Sequence, residues 1–438
     1  MKRLPARIIM ALLSFILLGP IITSHAQEST LAVNDEAKLL AETEARILEN
    51  RTGPLTVRVV DADSRPVVNQ KVQVEHMRHL FKFGAGFDGR LLPGNGPSAV
   101  DAIHRDYFLK LFNYSTVKFH WRYYEQVLGG YDDNEKLRHI RWLKENGIVA
   151  RGHPLFWNRD VPEWLEKKNY SATSVRTFMD ARLDQLAQTI LPELHDVDVI
   201  NELSRWEDAS GPLLPAFAGP DKIPVATHYL KEVKRLAPQV QTVINDSDTS
   251  YRLHDLLKEL IANGAPVDMI ALKNYGRWPP AFTWNVLNQL SDLKKPILIA
   301  EFSVASGISG PNNSWEITAS SEAAHADYIE QFYKLVYSHP AAAGIVYWNF
   351  SDRGAWPTGS PQGLVHEDGT PKPAYARLFT LINETWRTRG EFSTNEKGEV
   401  TIPHAYEGEY KITCRDVTGT GEHRATAPLN LVLKKMTK

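Results

Sequence analysis

The sequence predicts an α/β fold: a (β/α)8 TIM barrel with a small β-region at its N-terminal and C-terminal ends. Three observations carry this. Eight short apolar runs alternate with helix-like segments through the middle of the chain, which is the repeating unit of a parallel barrel. Both ends instead alternate apolar and polar residues with period two, the pattern of half-buried strands. The 438 residues leave room for a barrel of roughly 250 residues and an appendage. At 43% hydrophobic and 23% charged residues, with a formal net charge of −2, the composition is that of a globular chain, and no charge excess points to nucleic acid.

Residues 1–26 read as a secretory signal peptide. Lys2, Arg3 and Arg7 form a basic start, Ile8 to Leu18 an apolar core, and Ser24-His25-Ala26 a small-residue cleavage site. The apolar run is short for a membrane span and is broken by Gly19-Pro20. The expectation is a secreted or periplasmic protein with no stable membrane span after cleavage. Cys414 is the single cysteine, which excludes an intrachain disulfide and disfavours a cysteine-based metal or catalytic centre. Residues 27–53 form a helical lead-in. Residues 54–78, PLTVRVVDADSRPVVNQKVQVE and its flank, alternate around an Asp-Ser-Arg-Pro turn and predict an N-terminal β-hairpin. Residues 390–438 alternate around Lys-Gly and Glu-Gly turns and predict a β-rich module. The two ends are expected to brace the barrel of residues 79–389.

Within that barrel the strand candidates are FKFGAGF, NYSTVKF, GIVARGH, DVDVIN, TVIND, VDMIALKN, PILIAEF and AAGIVYWNF. Barrel active sites form at the C-terminal strand ends. The polar residues there include His153, Asn201, Glu202, Asn245, Asp246, Lys273, Asn274, Tyr275 and Glu301. Polar loops explain most of them. They do not explain Glu202 and Glu301, each of which ends an apolar run, at the fourth and seventh strands, where an unpaired carboxylate is costly. Two carboxylates across a barrel mouth are the pair that glycoside hydrolysis needs. His76, His79 and His104 are scattered, so no metal constellation is expected, and no cofactor.

The motifs RGHPLFWNRDVPEWL, DVDVINE, INDSD, PILIAEF, VYWNFSDRGAW and PKPAY, in this order between about Phe81 and Tyr375, resemble those of glycoside hydrolase family 10, the endo-β-1,4-xylanase family. The resemblance implies a retaining hydrolase of internal β-1,4 bonds in xylan or a related hemicellulose. Glu202 matches the acid/base and Glu301 the nucleophile. Asn201 matches the residue that bonds the sugar 2-hydroxyl, His153 and Trp157 match sugar contacts, and Trp348 and Trp356 match the aromatic floor and wall. Asp246, Asp352 and Trp164 are expected to brace or pack rather than to react.

Two motifs depart from the family pattern. After the second strand the family has Glu-Asn-Glu-Met-Lys-Trp. Here the run is NYSTVKFHW, with His120 in place of the lysine. After the sixth strand Gln-x-His is replaced by Lys273-Asn274-Tyr275. Tyr275 is expected to bond Glu301 in place of the histidine. Lys273 is expected to lower the pKa of Glu301 or to meet the substrate, which suggests a decorated or acidic glycan. The mutual field of Glu202 and Glu301 is expected to set their pKa values apart. The alternatives are a glycan-binding protein of the same fold with weak or no hydrolytic activity, a β-glycanase for another decorated polysaccharide, and a Schiff-base aldolase using Lys273. The last is disfavoured because a neighbouring carboxylate raises a lysine's pKa.

Overall fold

A computed structural model describes residues 33–93, 99–206, 211, 213 and 222–434. The expected signal peptide lies outside the described residues. Eight parallel strands close into a barrel: Lys82–Gly86, Tyr114–Lys118, Val149–His153, Asp196–Asn201, Gln241–Asp246, Met269–Tyr275, Ile297–Ser303 and Ala342–Tyr347. Each pairs with the next, and the eighth pairs with the first. The seam is tight. A Cβ at Gly86, the end of the first strand, would lie 2.5 Å from the backbone oxygen of Trp348 beyond the eighth, so the close approach requires glycine.

Side-chain alternation divides the barrel into two packed layers. Tyr114, Val243, Met269, Ala271, Leu298, Ala300 and Val346 fill the interior. Val197, Val199, Ile244, Ile270, Ile299 and Ile345 pack outward with the helices in the larger core. Helix starts follow local chemistry. The Ser171 hydroxyl accepts from the Ser174 N–H at the start of Ala172–Thr189, and Thr318 and Ser321 form a reciprocal capping box at the start of Ala319–Ser338. The final helix, Pro373–Thr380, closes with a π turn over Leu381–Thr385.

The expected N-terminal hairpin is corrected by the structure. Strand Thr52–Val60 lies between Glu399–Tyr406 and Asn430–Lys434. Strand Lys71–His79 lies in a second sheet, between Arg389–Ser393 and Gly408–Cys414. A single bridge, Val60–Pro66, folds the intervening turn, and the Asp61 carboxylate caps it by accepting from the N–H groups of Asp63 and Arg65. Alternation fixes which face of a strand is apolar, but not which strand it pairs with. The two sheets face each other across one core that includes Leu55, Val57, Val72, Val74, Ile402 and Ile412. The two chain ends therefore build one β-sandwich.

The lead-in helices Val33–Ala41 and Thr43–Arg51 tie this sandwich to the barrel. The buried Arg51 guanidinium donates to the carbonyls of Tyr337, His339 and Ala342 at 2.6–2.7 Å. These include orphan carbonyls at the C-terminus of helix Ala319–Ser338, where a cation is favoured. Among the described residues, no helix is long and apolar enough to cross a membrane.

Candidate active site

The fourth strand shows how the sequence builds this site. In DVDVIN, Val197 and Val199 join the outer core, while Asp196 and Asp198 meet polar partners inside the barrel. Buried aspartates in a strand need such partners. Arg151, fully buried on the third strand, forms ion pairs with both, and the Tyr114 hydroxyl donates to Asp196. Asp198 Oδ2 lies 2.6 Å from His153 Nδ1 and accepts from Asn245 Nδ2 at 3.1 Å. The Arg-Gly-His order is explained by this packing. Arg151 and His153 face the aspartates, whereas a Cβ on Gly152 would lie 2.6 Å from the side chains of Phe119 and Leu194.

That network leads to Glu301. Asn245 Nδ2 donates to Glu301 Oε1 at 2.9 Å, His153 Nε2 lies 3.6 Å from the same oxygen, and the Tyr275 hydroxyl donates to Oε2. Burial works to raise the Glu301 pKa, but Lys273, His153, Tyr275 and Asn245 outweigh it and pull it down to about 2. Glu301 is therefore held as a carboxylate, the form a nucleophile needs.

Glu202 follows immediately after the fourth strand in the left-handed region, with φ 56° and ψ 41°, a conformation uncommon for residues other than glycine and concentrated at functional sites. Its N–H donates to the Asn245 carbonyl at 2.7 Å. Its Oε2 accepts from Trp157 Nε1 at 3.0 Å and its Oε1 from Lys273 Nζ at 3.0 Å. The same Nζ lies 3.5 Å from Glu301 Oε1. One ammonium thus spans both carboxylates.

This changes two expectations. Lys273 is only 6% exposed and is engaged by both glutamates, so the partners of its charge in this site are the two carboxylates. Nor does mutual repulsion set the two acids apart. Burial works to raise the Glu202 pKa, but Lys273, Trp157 and Arg159 bring it below the ordinary glutamate value. The Lys273 ammonium, opposed by burial, is in turn held charged by Glu301 and Glu202.

The other sequence-selected residues surround this centre. Asn201 pairs with Trp157 and Asn245 across adjacent strands. Its carboxamide is fully buried, and neither its oxygen nor its nitrogen has a hydrogen-bond partner among the described residues. Burying a carboxamide in this way is costly in a folded protein. The His120 ring lies 5.2 Å from that of His153 and 5.9 Å from that of Trp157, and burial holds it neutral. Trp348 meets His153 edge-on at 5.2 Å, and Trp356, 59% exposed, stands 5.8 Å from Tyr275 at the rim.

Asp246 accepts from the N–H and hydroxyl of Ser204 and so braces the loop after Glu202. Asp352 accepts from Gly363 N–H and pairs with Lys372, fixing the loop that carries Trp356. Trp164 packs against Trp121 and Phe178. No metal-binding group of His, Cys, Asp or Glu is present among the described residues.

Sequence reading missed Asp198 and Arg151 as parts of the site and left Asn245 without a role. The signal was available in the two aspartates of an otherwise apolar strand. It also missed Lys118, whose ammonium lies 3.9 Å over the Trp348 ring. Beside that ring is a cavity of about 270 Å³ lined by Gly86, Asp88, Lys118, Glu135, Trp348 and Arg353.

The sequence profile of glycosyl hydrolase family 10 matches residues 77–381. The chain is 27% identical to the anti-sigma-I factor RsgI6 of Acetivibrio thermocellus over 88% of this chain and 48% of the relative. It is 23% identical to endo-1,4-beta-xylanase 1 of Arabidopsis thaliana over 83% of this chain and 36% of that protein. It therefore spans half or less of the length of these two curated relatives. In three dimensions it resembles xylanase 10B from Thermotoga petrophila RKU-1 in complex with xylobiose, with a TM-score of 0.60 at 17% identity over 70% of this chain and 95% of that one. At that identity the likeness establishes the barrel fold. The profile match spans well over half of the chain and includes both carboxylates, and the chain belongs to glycosyl hydrolase family 10.

Proposed function

We propose that this chain is a retaining glycoside hydrolase that cleaves internal β-1,4 bonds of xylan or a related hemicellulose. The observation that carries the reading is the close carboxylate pair. Glu202 and Glu301 each have an oxygen within reach of one ammonium. Retention, which needs the two carboxyl groups near each other, follows from membership of the family whose profile the chain matches.

In the first step Glu301 attacks the anomeric carbon as the bond to the leaving oxygen breaks, and Glu202 gives that oxygen its proton. In the second, Glu202 takes a proton from water, whose oxygen attacks the same carbon and releases the Glu301 carboxylate. Asn245, His153 and Tyr275 orient Glu301. Asn201 takes the sugar 2-hydroxyl in this reading, as its match to the family motif implies, a contact that strengthens in the transition state. Trp157, Trp348 and Trp356 offer flat apolar faces to sugar rings. Export rests on the basic-apolar-small pattern of residues 1–26, and mass spectrometry of the mature N-terminus tests it.

The test of function is product analysis against plain xylo-oligosaccharides, glucuronic-acid- and arabinose-substituted xylans and mixed-linkage glucan. Cleavage of a β-1,4-xylan that disappears in Glu301→Ala supports the reading. A folded protein that binds xylan but cleaves no member of the panel contradicts it and favours a binding protein.

A further inference from the structure

We propose that Lys273 is a positioning residue that locks the resting carboxylate pair in its doubly ionised form, and that it must release Glu202 before that residue can act as an acid. The proposal rests on the assignment of Glu202 and Glu301 above. Both Glu202 oxygens already accept from an N–H, one from Lys273 and one from Trp157. Donors on both oxygens favour the carboxylate over the acid. The lysine is also held from below, with its ammonium 5.0 Å over the Trp157 ring, so the indole that binds one oxygen steadies the cation that binds the other.

The remaining charged or titratable groups around Glu202 have partners or surroundings of their own. From the seventh strand comes Glu301, which shares the ammonium. From the fifth comes Asp246, committed to Ser204. From the sixth comes Tyr275, bonded to Glu301. The third strand and its loop supply His153, bonded to Asp198, and Arg159, a further positive charge. His120 and Lys118 come from the second strand and its end, with His120 held neutral by burial and Lys118 over Trp348. Lys273 is the only one of these within hydrogen-bond distance of Glu202.

The two chemical steps then respond oppositely to the ammonium. Bond cleavage needs a proton on Glu202, which the ammonium opposes. Once Glu301 is esterified its charge is gone, and Lys273 holds Glu202 as the base that water attack requires. The ammonium also stabilises the Glu301 carboxylate as it leaves. The lock therefore bears on the first step for sugar leaving groups, which need the proton.

The experiment compares wild type with Lys273→Gln and Lys273→Met. Lys273→Gln keeps a hydrogen bond without charge, and Lys273→Met removes both. The carboxyl of Glu202 is titrated directly by carbon-13 NMR of glutamate-labelled protein, assigned with Glu202→Gln, which requires no turnover. The pH profile of kcat/KM is measured on xylotetraose and on a dinitrophenyl xylobioside, whose leaving group needs no proton. Loss of the neighbouring cation should raise the Glu202 titration by about one unit or more in both variants. On xylotetraose the alkaline limb should move up equally, a gain of about tenfold per unit at pH values above the wild-type limb, with no such gain on the aryl substrate. An unmoved Glu202 titration in both variants overturns the proposal, as does an equal shift of the limb on both substrates. If wild type turns over neither substrate while the Glu202 titration still moves, the lysine lock stands and the hydrolase assignment fails.

Discussion

The barrel mouth and the β-sandwich bury side chains under opposite rules. In the sandwich every second residue is apolar, and Val72, Val74 and Ile412 disappear into a shared core with few polar atoms to satisfy. From the barrel interior up to its mouth the buried side chains include Arg151, Asp196, Asp198, His153, Asn201, Glu202, Lys273 and Glu301. Burying charge is unfavourable unless each group finds a partner, and a buried ion pair rarely adds net stability over apolar packing. The sandwich is thus built for stability, whereas the mouth keeps a costly polar cluster that stability alone does not explain.

Substitutions separate the two regions. Glu301→Ala has the largest expected effect: hydrolysis of xylo-oligosaccharides is abolished while the circular dichroism spectrum is retained. Glu202→Ala should spare activated aryl glycosides far more than oligosaccharides, because only the latter need its proton. Asp198→Ala comes next. It leaves Arg151 and His153 without their shared carboxylate, and breaking a buried pair costs about 3–5 kcal/mol. Denaturant unfolding should show that loss, and steady-state kinetics a fall in kcat at temperatures where the variant is folded. Ile412→Ala should cost about 2–5 kcal/mol in the same unfolding assay with kcat and KM unchanged, since its side chain belongs to the sandwich core. If Ile412→Ala also lowers kcat, the two regions are coupled and the contrast breaks down.

A further effect concerns acid. Glu301 titrates near 2 in the fold and near 4.3 in an unfolded chain. A depressed carboxylate contributes stability that is present above the unfolded value and lost as pH falls through the folded one. Wild type should therefore lose stability between about pH 4.3 and 2 more steeply than Glu301→Gln. Equal slopes in urea titrations across that window would show that Glu301 is not the depressed group.

The same contrast explains what the sequence made legible. Glu202 and Glu301 stood out because a carboxylate directly after PILIA or DVDVIN conflicts with local hydrophobicity. The barrel was readable because eight runs repeat in order. The hairpin reading failed because Thr52–Val60 and Lys71–His79 each carry a proper alternation but find their partners more than 300 residues away in Glu399–Tyr406, Arg389–Ser393 and Gly408–Cys414. Period two records a buried face, and long-range pairing is settled by the shared core. Lys273 was visible as a departure, yet its role depends on where its ammonium comes to rest among three strand ends, which spacing along one strand does not encode. Asp198 is less legible than Glu202 because it lies within its strand, and its role depends on Arg151, His153 and Asn245 from neighbouring strands.

The most direct test of the carboxylate pair is the configuration of the first product. Proton NMR should follow the anomeric signal during the opening minutes of xylo-oligosaccharide cleavage, before mutarotation. Glu301 as nucleophile and Glu202 as acid/base predict the β-anomer first. An α-anomer formed first would mean inversion by a water between them, and would contradict Glu301 as the nucleophile.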